Sequence, residues 1–214
     1  MRSALVISGS PSPTSRTAAL GDHVRHALEA RGLAARHIRV RDLPAEPLIS
    51  ADRSSPPIAE ALRLLEAADG VVFVTPTYQA AYSGLLKLFI DLLPQTALTD
   101  KAVLPLATGG TLAHVLMLDY ALRPVLHALG ARHSVQACFV TESAIDLTSP
   151  DFVTDVRQAE LLEQGLDAFC AAIASVPPAP TARDGLGEAA RPRVAVDRPG
   201  RETALALGGG ERDA

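Results

Sequence analysis

At 214 residues, with 48% hydrophobic side chains and a mean hydropathy of +0.18, the chain is long and apolar enough to bury one substantial core. A net charge of −4 and a pI of about 5.8, with no basic run before the C-terminal region, exclude the cationic face that nucleic acid or an anionic membrane would require. Trp is absent and aromatics are 4%, so the core must be built from Ala, Val, Leu and Ile, as suits helices packed on a parallel sheet. Cys138 and Cys170 are too few and too far apart for a redox pair, a zinc site or a disulfide framework, so no metal is expected and a reducing cytoplasm is the simplest setting. No leader pattern or membrane-length apolar run is read, which predicts a soluble protein.

Strand and helix signals alternate along the chain. Residues 4–7, Ala-Leu-Val-Ile, have the length and branching of a buried strand, and residues 17–30 follow as a helix with apolar positions at Ala18, Val24, Ala27 and Leu28. A second strand is predicted over 35–40, then a Pro/Ser-rich loop over 45–57, a helix over 58–68 and a third strand over 71–74, Val-Val-Phe-Val. A helix over 83–93, a strand over 102–107, a long helix over 112–129, a strand over 134–140 and a helix over 151–174 complete the pattern. Five strands with crossovers predict a flavodoxin-like three-layer α/β sandwich with a five-stranded parallel sheet, occupying residues 1–176. Residues 177–214, rich in Pro, Ala, Arg, Gly and Glu without a sustained period, read as a disordered tail.

The string GSPSPTSRT at residues 9–17 joins the first strand to its helix. Its hydroxyls, Gly9, two prolines and Arg16, set against a helix N-terminus, form a nest suited to a phosphate. It lacks the lysine of a nucleoside-triphosphate loop and the three glycines of a dinucleotide turn, so a single terminal phosphate monoester, such as that of FMN, fits better. An ordinary Ser/Thr-capped turn remains an equal reading of this segment alone.

In an open parallel sheet the ligand lies beyond the carboxyl ends of the strands, so the loops after the third and fourth strands should also carry binding chemistry. Residues 75–84, TPTYQAAYSG, offer Pro76 to set the chain's direction, Tyr78 as an aromatic edge, and backbone N–H groups near Gln79 and Ala80. Residues 108–111, TGGT, would let main chain approach a flat ring closely. Taken singly, Gly109-Gly110 also reads as a plain turn, and Tyr78 and Tyr82 as packing under a loop.

The blocks GSPSPTSRT, DGVVFVTPTYQAAYSGLLKLFIDLLP, KAVLPLATGGTLAHVL and LDYALRPVLHALGA, in that order across most of residues 1–150, resemble the NADPH-dependent FMN reductases, and most closely the branch that supplies reduced FMN to alkanesulfonate monooxygenases. The resemblance implies that Ser10, Ser15, Arg16 and Thr17 hold the FMN phosphate. It places Pro76, Thr77, Tyr78 and Gln79 along the flavin ring, with Thr108, Gly109, Gly110 and Thr111 on its second side. It implies hydride transfer from NADPH to FMN without a protein nucleophile, release of reduced FMN to a flavin-dependent monooxygenase, and a homodimer or homotetramer formed through helices that include 112–129. Related enzymes commonly carry Lys where this chain has Gln79, which bears on flavin affinity or on the preference for NADPH over NADH. Competing readings are an FMN-retaining quinone or azo reductase and a flavodoxin-like electron carrier.

The predicted helix 112–129 is apolar around much of its circumference yet contains Pro124, which cannot donate to the carbonyl of Tyr120. Either a simple kink results, or a π-bulge at Tyr120 in which the Val125 N–H serves that carbonyl. The resemblance favours the bulge, with Tyr120 at a subunit interface tuning flavin transfer. His114, His127 and His133 lack metal-ligand partners at suitable spacing, and Ser83 and Ser143 lack a hydrolase nucleophile's context.

Overall fold

Ser3 opens a run of apolar residues that forms β1 (Ser3–Ser8), buried over all but its first residue in the computed structural model, which describes residues 1–149 and 151–179. Parallel pairing with β2 (Ala34–Arg39) on one side and β3 (Gly70–Tyr78) on the other makes β1 a central strand. Beyond β3 come β5 (Ala102–Gly109) and then two fragments on the same side of it, β6 (His133–Ser134) and β7 (Cys138–Thr141). Counting those fragments as one strand gives five parallel strands in the order β2-β1-β3-β5-β6/β7, the flavodoxin-like topology, whose winding reverses between β1 and β3. Most of the tail predicted from 177 onward, residues 180–214, lies outside the described residues.

Alternation along the strands divides the core in two. Leu5, Ile7, Val71, Phe73 and Val103 meet Ile58 and Leu65 of α3 (Pro56–Glu66), Leu86 and Phe89 of α4 (Gly84–Ile90) and Leu126 of α5 (Arg123–Ala128). On the opposite face, Val6, Val72, Val74, Leu104 and Leu106 meet Leu20 and Val24 of α1 (Arg16–Ala30) and Leu166, Phe169 and Ile173 of α6 (Val156–Ser175).

Several predicted elements differ, each for a local reason. The 45–57 loop contains a short helix, α2 (Ala45–Ile49), which follows Pro44 and buries Leu48, and α3 starts at Pro56 because proline suits the first helical turn. The 83–93 helix ends at Ile90. Helix α6 starts at Val156 rather than 151, since Val153 makes an antiparallel bridge to Ile145 and the Asp155 carboxylate caps the helix by accepting from the Gln158 N–H at 2.9 Å.

The predicted 134–140 strand is interrupted over 135–137. The Val135 N–H donates to the Val103 carbonyl at 2.9 Å, so Val103 faces this strand, and by the two-residue repeat Pro105 faces it too. Pro105 has no N–H, and the ladder fails beside it.

The 112–129 helix divides most. Leu112–His114 form a 3₁₀ turn, Leu118–Leu122 a π-helical turn containing Tyr120, and α5 follows. The i→i+5 bond runs from the Arg123 N–H to the Leu118 carbonyl, two residues before the predicted Val125–Tyr120 bond. Pro124 consequently stands in the first turn of α5, where its missing N–H is harmless.

Candidate functional site

The loop after β1 is anchored at its root. The Gly9 N–H donates to the Val74 carbonyl at 2.9 Å, carrying the parallel ladder one residue beyond β1. A Cβ on Gly9 would stand 2.5 Å from Leu86 Cβ and 2.9 Å from Ser83 Oγ, so glycine is required for the approach of α4. Farther along, the buried Ser10 hydroxyl accepts from the Ser12 N–H at 3.4 Å, and the Ser15 hydroxyl caps α1 by accepting from the Ala18 N–H at 3.2 Å. By helix geometry the N–H groups of Arg16 and Thr17 have no partner within α1. Arg16 is exposed, and its guanidinium makes one long bond, from Nε to the Ile145 carbonyl at 3.4 Å, which leaves most of its donor fork open.

The 75–84 segment is a β-hairpin rather than a loop. Thr77 pairs with Tyr82 and Tyr78 with Ala81, so β3 turns back into β4 (Ala81–Tyr82) through Gln79 and Ala80. Both turn residues have positive φ, 48° and 57°, without the Asn-Gly sequence that makes such a turn easy. Pro76 is buried, Tyr78 is 48% exposed, and Gln79 stands in solvent. Ser83 caps α4 and donates its own N–H to Thr75 Oγ1 at 3.0 Å, fixing the base of the hairpin.

At the end of β5, the buried Thr108 hydroxyl meets the Thr17 hydroxyl at 2.6 Å, joining the third loop to the first. Gly109 lies against Phe139, whose Cζ would be 2.8 Å from a Cβ there, and close to Thr77. Gly110 has open space beside it, and Thr111 Oγ1 accepts from the Ala113 N–H at 3.3 Å. The π-turn containing Tyr120 packs against β4.

The expected site residues therefore gather at the carboxyl ends of β1, β3 and β5, where the strand order reverses. Thr17 and Thr108 are spent largely on one another, while Tyr78, Gln79, Gly110 and Thr111 face outward. Two positioning hydroxyls escape the sequence reading, those of Ser83 and Thr75. Ser83-Gly84-Leu85-Leu86 carries the helix-cap signal that could have revealed the first, whereas Thr75 has no distinctive signal.

Beneath α1 runs a second polar chain. His37 Nδ1 is 2.9 Å from Asp22 Oδ1, and Nε2 is 2.8 Å from Ser8 Oγ. The bonding order is that of a hydrolase triad, but Ser8 is only 1% exposed and no substrate can reach it. Burial opposes ionisation of Asp22, yet hydrogen bonds from His37 and Arg39 outweigh it and hold the carboxyl below its ordinary value. Burial likewise holds the His37 imidazole below its ordinary value, despite the opposing carboxylate.

The unfolded chain takes up a proton on His37 near pH 6.5, which the folded chain resists, so this part of the stability is complete above that pH and declines as pH falls through it towards the folded value. His23, stacked on Phe152 with ring centres 4.6 Å apart and also shifted down by burial, adds to the slope. His37→Gln should flatten the fall in melting temperature between about pH 7 and pH 5. A slope equal to the parent's would contradict this assignment.

The geometry fits a flat ring carrying a terminal phosphate. Thr77 Oγ1, on the hairpin beside Gly109, is the buried side-chain oxygen without a hydrogen-bond partner among the described residues. Among those residues no helix is long and apolar enough to cross a membrane.

Comparison with known proteins agrees. The profile of the family described as NADPH-dependent FMN reductase matches residues 3–146. An FMN reductase (NADPH) of Pseudomonas putida is 42% identical over 173 residues, 80% of this chain and 88% of the relative, and one of Escherichia coli is 42% identical over 141 residues, 66% and 74%. The apo crystal structure of an NADH:FMN oxidoreductase (EMOB) superposes with a TM-score of 0.73 at 43% identity, covering 84% of this chain and 92% of that one. With a matching family profile over residues 3–146 and relatives 42% identical across most of their length, the chain belongs to the NADPH-dependent FMN reductases.

Proposed function

We propose that residues 1–176 form a cytoplasmic reductase that takes FMN and NADPH together, transfers hydride between them and releases reduced FMN to a flavin-dependent monooxygenase, in sulfonate or other sulfur assimilation. The observation that carries the reading is the start of α1, with Ser15 capping it and the exposed Arg16 guanidinium making one long bond among the described residues, joined through Thr17 and Thr108 to the turn at Gly109. When bound, FMN supplies the hydride acceptor, its N5, for the nicotinamide C4. Ser10, Ser15, Arg16 and Thr17, with the start of α1, would hold the phosphate through N–H, hydroxyl and guanidinium donors. Pro76, Thr77, Tyr78 and Gln79 on one side, and Thr108, Gly109, Gly110 and Thr111 on the other, would orient the ring. They would exclude water and place donors at its pyrimidine edge, where negative charge grows.

Stopped-flow mixing with NADPH and varied FMN, followed at the oxidised-flavin band, tests the reading. Rapid bleaching that saturates with free FMN is expected. No NADPH oxidation by the isolated protein would leave only an electron carrier, and ping-pong turnover by a yellow preparation would favour an FMN-retaining reductase. Gln79 in the turn brings no positive charge to the flavin or the incoming nicotinamide, so Gln79→Lys should change the KM for FMN or the ratio of activities with NADPH and NADH.

Leu112 (54% exposed), Leu116 (57%) and Tyr120 (80%) stand out on the surface around the π-turn, with Val115 beside them. Such a patch supports self-association through 112–129. Tyr120→Ala is expected to shift the assembly towards smaller species in light scattering and to change FMN retention through turnover. Unchanged mass and unchanged retention would remove Tyr120 from this role.

A further inference from the structure

Ser83 stands where two of the three loops meet, and it is only 1% exposed. Its hydroxyl donates its proton to the Gly9 carbonyl at 2.5 Å, while the oxygen accepts from the Leu86 N–H at 3.1 Å. Its backbone N–H donates to Thr75 Oγ1 at 3.0 Å. One arm therefore grips the root of the 9–17 loop, just before Ser10, and the other grips the base of the hairpin. Both bonds are buried, so losing the first strands the Gly9 carbonyl and losing the second strands the Ser83 N–H.

We propose that Ser83 is a positioning residue that fixes the spacing between the phosphate loop and the hairpin, so that both ends of the mononucleotide are held at once. The proposal rests on the FMN reading above and assigns Ser83 no contact with the reacting atoms. Its two arms can be cut separately. Ser83→Ala removes the hydroxyl, cutting the bond to Gly9 together with the cap on the Leu86 N–H, but keeps the bond to Thr75. Thr75→Val removes the hairpin's acceptor with little change in volume and leaves the bond to Gly9.

Because only the loop senses the phosphate, Ser83→Ala should weaken FMN binding about threefold to tenfold and leave riboflavin binding unchanged. The KM for FMN should rise while kcat stays near the parent's. Thr75→Val should weaken FMN and riboflavin by the same factor. Fluorescence-quenching titrations of both flavins, with steady-state kinetics and melting curves, provide the readouts. A role in folding alone would lower the melting temperature and affect both flavins equally in both variants. Ser83→Gly, which also keeps the N–H and serves well as a helix cap, gives the same comparison where the alanine variant folds poorly.

If the parent prefers FMN to riboflavin and that preference is undiminished in Ser83→Ala and Ser83→Gly, the positioning role is overturned. Equal binding of FMN and riboflavin by the parent would instead overturn the phosphate-loop reading on which it stands.

Discussion

Gly9→Ala is expected to cost the fold about 2–3 kcal/mol, seen as a melting temperature lowered by about 5–10 °C, and to reduce FMN affinity by at least about tenfold. The obstacle is space rather than dihedral angle, since Gly9 has no positive φ. Its new methyl would meet Leu86 Cβ at 2.5 Å and Leu86 Cα at 3.1 Å, so the first turn of α4 must move or the loop must lift. Pairing of Ser8 with both Arg39 and Val74 prevents β1 from sliding to relieve the clash. Whichever element yields, the loop's donors move away from the position that α1 defines. Gly110→Ala is the matched control: nothing lies within 4 Å of its Cβ position, and its stability should change by less than about 0.5 kcal/mol. A Gly9→Ala protein that melts with the parent and keeps its flavin affinity would show that the loop root is looser than its contacts imply.

Arg16→Ala should separate binding from stability. Among the described residues the exposed guanidinium makes only the 3.4 Å bond to the Ile145 carbonyl, so its removal should leave the melting temperature nearly unchanged. Charge-assisted bonds to a phosphate are worth about 1.5–3 kcal/mol, so FMN affinity should fall about tenfold to a hundredfold, with riboflavin unaffected. Arg16→Lys keeps the charge but loses the planar fork and should fall between parent and alanine variant. Titration at two salt concentrations sharpens the comparison, because the Arg16 contribution should shrink as salt rises. Equal loss for riboflavin would move Arg16 away from the phosphate.

The centre of the sheet was legible because β1, β3 and β5 are buried on both faces and nearly all apolar, as in Val71-Val72-Phe73-Val74. The three loops were legible because strand order fixes which ends face a ligand. What stayed hidden depends on pairings between distant residues or on conformations that composition does not announce. Gln79-Ala80 carries none of the usual markers of a two-residue hairpin turn, yet both residues adopt it. Pro105 was readable as a residue, but its effect falls on a strand thirty residues later through a ladder that exists only after folding. Pro124 pointed to irregular helix at the right place, although the structure moves the wide turn earlier so that proline begins α5. Asp22, His37 and Ser8 come from three different elements, and no local pattern joins them.

The break beside Pro105 has a consequence for how molecules of this protein meet. A sheet with two open margins invites a strand from a neighbour to add to it, the route by which such proteins polymerise into fibres. Here one margin, β2, carries the exposed charges of Arg36 and Arg39, and the other is split into fragments of two and four residues. The first margin is guarded by charge and the second offers no unbroken template, so each resists the addition of a neighbour's strand in its own way.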